Sequence, residues 1–340
     1  MRRLSPLFAA LLGGGAAAAC LPNDTRTAPG SVLVSVESDG VAASGIPASA
    51  TSDGWAIAFD QVLIALGNVS LDGDSCDVYS DSGYNRIFDM KVDGEQKVTI
   101  VYALGHCDFG FRVSSPNDDT VLGRGVSEAE KTMMRTPGSD NRTTNSGTSM
   151  YVSGHATSAD VTKTFAWAFR FRARYDRCTS SPFASGSGSV SDTGVDLASK
   201  VSRAIVLGVS PGALFSNELD LRGNPAPVAP PRPRFQVFAD ADTLTGDDDG
   251  VVTLDELARV PATRAGFVDL DGPGDGGLPL IDAAAVPSSD AGALSIIDET
   301  VEGGLEPTLE DYLYMVLFPA MIRYGNGSCS VRLTNRGVTN

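Results

Sequence analysis

Apolar and polar residues alternate along much of the chain, in runs separated by clusters of Gly, Asp, Asn and Ser. That is the pattern of antiparallel strands joined by turns. Val32, Val34 and Val36 share one face, Trp55, Ile57 and Phe59 repeat the alternation, and Val62, Ile64 and Leu66 take it up again. The clearest run, Thr164 to Tyr175, sets Phe165, Trp167, Phe169, Phe171, Ala173 and Tyr175 on one face and Arg170, Arg172 and Arg174 on the other, so one face is core and the other wet. Asp93-Gly94, between Arg86 to Val92 and Gln96 to Ala103, predicts a tight hairpin, because both residues tolerate positive φ. The expected fold class is mainly β: an antiparallel β-sandwich with a C-terminal acidic loop and short helices packed on it.

Helices are few. Ser127 as N-cap with Glu130 as its box partner marks a short one between two polar loops, Ser115 to Asp119 and Thr136 to Thr148. The longest predicted helix runs from Leu309 to Tyr324, with Thr308 and Asp311 as N-cap and third-position acid, and Gly325 and Gly327 as the stop. Pro319 kinks it or ends it early. Because Tyr314, Met315 and Phe318 make it apolar nearly all round, it is expected to be buried against the sandwich. The proline-rich stretch Asn224 to Arg234 runs extended and divides a sandwich domain, residues 31–234, from a carboxyl-terminal segment, residues 235–340.

The amino-terminal residues 1–19 read differently: two arginines, an apolar stretch broken by Pro6 and Gly13 to Gly15, then Ala17, Ala18 and Ala19 before Cys20, the grammar of a cleaved export signal. The ending resembles the lipobox of bacterial lipoproteins, with Ala17 where leucine is usual. That resemblance implies an acylated Cys20, a tether over residues 20–30 and a lipid bilayer as partner, each buried methylene contributing roughly 0.8 kcal/mol. Leu21 follows the cysteine where the family places Asp for inner-membrane retention, so the implied location is the outer membrane, facing periplasm or cell surface. The alternative is secretory cleavage with Cys20 in a disulfide.

The remaining cysteines, Cys76, Cys107, Cys178 and Cys329, allow three pairings. Cys76 with Cys107 and Cys178 with Cys329 are expected, the second because the last helix would carry Cys329 back to the sheet. A net charge of −16 leaves no basic surface for a phosphate backbone, which excludes nucleic acid and disfavours anionic membrane surfaces. Divalent cations fit that charge better.

The motif that carries most chemistry is the acidic stretch from Asp240 to Leu257. Its second half resembles an EF-hand loop: Gly250 at the sharp turn, Asp249 before it, the Val251 carbonyl, the inward Val252 and a bidentate Glu256. Strict spacing opens the loop at Thr245, with Asp247 two residues on. The preferred register opens it at Asp240 or Asp242, with residues 243–246 bulging out. The candidate calcium ligands are therefore Asp240, Asp242, Asp247, Asp249, Val251 and Glu256. Phe235 to Phe238 reads as strand, and Leu254 to Val260 as the exiting helix. A second acidic loop, Phe267 to Gly277, carries Asp269, Asp271 and Asp275 but no glutamate at the right spacing.

Three other constellations are weaker. Gly208-Val209-Ser210-Pro211-Gly212 matches a nucleophile elbow, but Pro211 has no N–H to offer an oxyanion, and His155 precedes the serine. No enzymatic activity is expected. His106 with Cys107 and His155 is thin material for copper or zinc, and the arginine row is either an anion site or a solvated face.

Gly54 to Leu71, Phe88 to Val113, Phe235 to Leu257 and the closing Gly325 to Cys329 resemble sandwich lipoproteins of environmental bacteria, often myxobacterial, that pair a transthyretin-like β-domain with an Asp-rich loop. The resemblance implies location and fold rather than activity. The expected function is a non-enzymatic envelope lipoprotein with structural calcium. The alternative is a solute- or transition-metal-binding lipoprotein that delivers its ligand to an envelope partner.

Overall fold

A computed structural model describes residues 27–80, 82–137, 147–180, 194–216, 232–261, 308–314, 318–325, 327 and 329–334. Cys20 and its signal, the second acidic loop and much of the proline-rich stretch lie outside these residues. Among the described residues no helix is long and apolar enough to cross a membrane.

The described chain is mainly β, a curled sheet folded into a sandwich-like arrangement. Its strands are β1 (Gly30–Ser38), β2 (Ala56–Asp72), β3 (Cys76–Ser80), β4 (Asn85–Asp89), β5 (Gln96–Val113), β6 (Val121–Leu122), β7 (Met150–Ser158), β8 (Val161–Phe169), β9 (Arg172–Asp176), β10 (Val195–Leu197), β11 (Ser202–Val209), β12 (Val251–Val252), β13 (Ile322–Tyr324) and β14 (Ser330–Thr334). The helices are α1 (Val41–Ser44), α2 (Glu128–Arg135), α3 (Gln236–Thr245), α4 (Leu254–Leu257), α5 (Leu309–Tyr312) and α6 (Phe318–Met321).

β5 joins the two layers. Residues 96–107 pair with β1, β3 and β10 in one layer, and residues 108–113 with β2 and β9 in the other. β2 belongs to the second layer, which runs β12-β8-β7-β2. Along β2 the inward face moves from Ile57 and Phe59 to Val62, Ile64 and Leu66, and then to Val69 and Leu71. Bulges at Phe59/Gln61 and Gly67/Ser70 cause both changes of phase, since one extra residue inverts the alternation. Val32, Val34, Val36 and the aromatic face from Phe165 to Tyr175 join the same core.

The other face of β2 carries a second, smaller cluster of Leu63, Ala65, Ile87 and Met134, roofed by α2. α2 starts at the expected capping box of Ser127 and Glu130.

Three local expectations are corrected. Gly94 does turn at φ 76°, but β4 and β5 do not pair: β4 bonds to β2 and β6, so the turn carries the chain across the sandwich. The predicted helix over 309–324 gives way to β13 at Ile322, which bonds to the edge of β11, so backbone pairing wins over helical propensity there. Phe235 to Phe238 opens helix α3, with Phe235 as its N-cap, rather than forming a strand. α3 lacks a capping side chain of its own, and Asp53 supplies one from the far end of the chain, accepting from the amides of Phe235 at 2.6 Å and Gln236 at 2.7 Å.

Three strands from the described residues after 234 are built into the sandwich: β12 pairs with β8, β13 with β11 and β14 with β9. Disulfides join Cys76 to Cys107 and Cys178 to Cys329. The second closes a loop of 151 residues in sequence, tying β9 to the approach to β14.

Candidate metal centre

α3, the loop after it, β12 and α4 form one unit clamped to β8. Phe235 and Phe238 on α3 pack among Trp55, Phe165, Trp167 and Phe215, with ring centroids 5.2 to 5.9 Å apart. The loop is held by backbone: Thr164 N donates to Gly250 O at 2.8 Å, and Trp167 Nε1 to Val252 O at 3.0 Å. Asp248 and Gly250 both sit at positive φ, 54° and 85°, which turns the chain sharply from α3 into β12.

This fold-back brings carboxylate oxygens of Asp242, Asp247 and Glu256 within 4.8 Å of one another. Asp242 and Glu256 are buried, and Asp247 is exposed. Asp242 comes from α3, Asp247 from the loop and Glu256 from α4. Gly246 makes room for them, since a Cβ there would stand 2.0 Å from Glu256 Oε1 and 2.6 Å from Asp242 O.

Each buried carboxylate has one oxygen engaged. Lys163 Nζ, from β8, donates to Asp242 Oδ2, to Asp248 Oδ1 at 3.0 Å and to Thr243 Oγ1 at 3.1 Å. Burial works against the Lys163 ammonium, but the bonds and charges of Asp242 and Asp248 outweigh it and raise its pKa. Hydrogen bonds from Lys163 and Thr243 hold Asp248 below the usual carboxylate value. Asp242 Oδ1, in a fully buried side chain, has no hydrogen-bond partner among the described residues. Glu256 Oε2 accepts from Thr253 N at 2.8 Å and Thr253 Oγ1 at 3.0 Å, closing a capping box on α4.

Asp240 and Asp249 fall outside this cluster of carboxylates. Asp240 accepts from Gln236 Nε2 at 2.7 Å one turn back, and Asp249 from Val251 N at 2.7 Å. Val251 is engaged in β12, paired with Thr164. Thr245 Oγ1 donates to Ala241 O, so of the two loop registers the one through Asp242 brings its residue to the cluster. Sequence reasoning missed Lys163. The signal was there: Lys163 falls in phase with Phe165, Trp167 and Phe169, so it points inward.

The weaker constellations separate. His106 is bonded to Asp196 at 2.8 Å and His155 lies 3.5 Å from Asp60, while the Cys107 sulfur is in a disulfide. Among the described residues neither histidine belongs to a group of three metal-ligating side chains. Ser210 enters a 3-10 turn, Pro211–Phe215, at the end of β11. Arg174 is balanced by Asp176 at 2.7 Å, and Arg170 donates to Thr136 O at 3.1 Å.

No protein-family model, curated protein or solved structure matches the chain.

Proposed function

We propose that Asp242, Asp247 and Glu256 hold a calcium ion whose role is structural, fixing the unit of α3, β12 and α4 to β8, in an exported, non-enzymatic lipoprotein anchored through Cys20 at the cell envelope. The observation that carries the calcium reading is the buried Asp242 Oδ1, without a hydrogen-bond partner among the described residues, beside two further carboxylates. An unsatisfied buried carboxylate oxygen is costly, and a cation removes that cost along with the repulsion among three negative groups. The all-oxygen set suits a hard ion, and calcium accepts a flexible set completed by main-chain carbonyl and water. The order of helix, acidic turn with Gly250, two-residue strand and a helix opening at Leu254 with Glu256 in its first turn resembles that of an EF-hand. Here the short strand pairs with β8, so the ion would fasten the loop to the sandwich.

The test is calorimetry and melting of the chain with its disulfides intact. Calcium should bind at millimolar concentration or below, magnesium more weakly, and Asp242→Asn should abolish binding. If the ion binds only the folded state, calcium at about 100 times its Kd should add about 2.7 kcal/mol of stability over chelator. An unchanged melting temperature with no heat of binding would remove the calcium reading. The anchor is tested apart from it: the intact mass of membrane-extracted protein should begin at an acylated Cys20, and Cys20→Ala should release the protein from the membrane.

A further inference from the structure

The outer face of the second layer carries charge that packing does not explain. In register across three strands, Arg112 of β5 stands opposite Arg174 of β9, and Arg174 opposite Arg332 of β14. Arg172 lies two residues along β9. Like charges directly opposite one another destabilise a sheet. Asp176 and Asp72 relieve Arg174, at 2.7 and 3.9 Å. Arg112 and Arg332 make no ion pair with any described residue. Acidic groups outnumber basic ones 42 to 26 in this chain, so an arginine patch runs against its composition. Where a sequence breaks such a local rule, function is a common reason.

Arg112 and Arg172 open onto a pocket of about 300 Å³ with no carboxylate among the described residues that line it. Its wall is built of amides and hydroxyls. Asn68 Nδ2 donates to Asn85 Oδ1, and Asn85 Nδ2 to Ser114 Oγ at 2.6 Å; Asn85 and Ser114 are buried, 6 % and 8 % exposed. Asn68 holds a left-handed φ of 45° inside the Gly67/Ser70 bulge of β2, next to Gly67, which is paired with Arg112. Gly67 itself allows the wall to close, since a Cβ there would meet Tyr84 O at 2.3 Å. Bulges re-aim side chains, and this one turns Asn68 toward the arginines' pocket.

We propose that this pocket binds an anionic sugar, with its acid group on Arg112 and Arg172 and its ring hydroxyls on the Asn68, Asn85, Ser114 and Ser115 wall. The planar guanidinium fork matches a carboxylate or phosphate with paired hydrogen bonds. Amide and hydroxyl groups both donate and accept, as sugar hydroxyls do. The volume stands at the small end of ligand sites and suits a single ring. The site shares no residue with the metal centre and does not depend on calcium.

The experiment titrates the full chain with glucuronate, glucose 6-phosphate, glucose and inorganic phosphate, by calorimetry and ligand-observed NMR. At least one charged sugar should bind about tenfold or more tightly than both glucose and inorganic phosphate, and which one wins identifies the acid group. Arg112→Gln should weaken that binding about tenfold while leaving the melting temperature unchanged or higher, because one of a repelling pair is gone. Ser115→Trp should block the pocket with every arginine in place. The proposal is overturned if neither charged sugar binds at roughly 10 mM, if glucose or inorganic phosphate binds as well, if either variant binds like the parent, or if Arg112→Gln melts several degrees lower.

Discussion

Lys163 and Asp242 form an ion pair at the seam between β8 and α3, the lysine side chain 9 % exposed and the aspartate fully buried. Such a pair gives little net stability over an apolar pair, but removing one partner strands a charge. In chelator, Asp242→Leu should cost about 3 kcal/mol, the low end of the roughly 3 to 5 kcal/mol for breaking a buried pair, because Asp248 still faces the ammonium. The double variant with Lys163→Met should recover most of the loss. Urea unfolding of the parent, the two single variants and the double variant measures both. Equal stability of Asp242→Leu and the parent would mean that the pair does not hold the seam.

The pH dependence of the same contact follows from its two shifts. Asp248 titrates below the ordinary 3.8, so its contribution to folding is present above that value and is lost as pH falls through its folded pKa. Lys163 titrates above 10.5, so its contribution is complete below that value and lost only as pH rises past its folded pKa. The difference in melting temperature between the parent and Asp248→Asn should therefore hold steady at neutral pH and close in acid. Scans from about pH 2 to about pH 8 in chelator record it.

What the sequence made legible was whatever depends on near neighbours. The alternation from Phe165 to Tyr175 names the buried face, and Ser127 with Glu130 and Thr308 with Asp311 place two helix starts, because a capping box lies within four residues. Of the candidate ligands, Asp242, Asp247 and Glu256 come together, since a loop with Gly250 at its turn folds them onto each other. What could not be read depends on partners far along the chain. Lys163 lies 79 residues from Asp242, and the Asp53 cap of α3 lies 182 residues from Phe235. The Asp93-Gly94 turn was visible, but not that β2 takes β4 away from β5.

The remote cap is itself testable. Asp53 Oδ2 accepts two of the amides at the start of α3, so Asp53→Ala should cost about 1 to 2 kcal/mol, in the usual range for losing an N-cap. Because α3 carries Asp242, calcium affinity should fall with it, whereas Asp53→Asn should keep much of the cap. Paired unfolding and calcium titrations of the two variants separate a capping role from a purely electrostatic one.

Glu256 has two tasks in this structure, and they can be divided. Its Oε2 caps α4 through Thr253, while its Oε1 stands over Gly246 within the acidic cluster. Glutamine at 256 preserves the reciprocal box but gives up the negative charge that a cation needs. Glu256→Gln should therefore fold with nearly parental stability in chelator and lose calcium affinity by at least about tenfold. Thr253→Ala should do the reverse, costing about 1 kcal/mol through the cap and leaving the carboxylate free to bind. If the two variants instead shift stability and affinity in constant proportion, the glutamate acts only through the helix, and Asp242 and Asp247 are left to hold the ion without it.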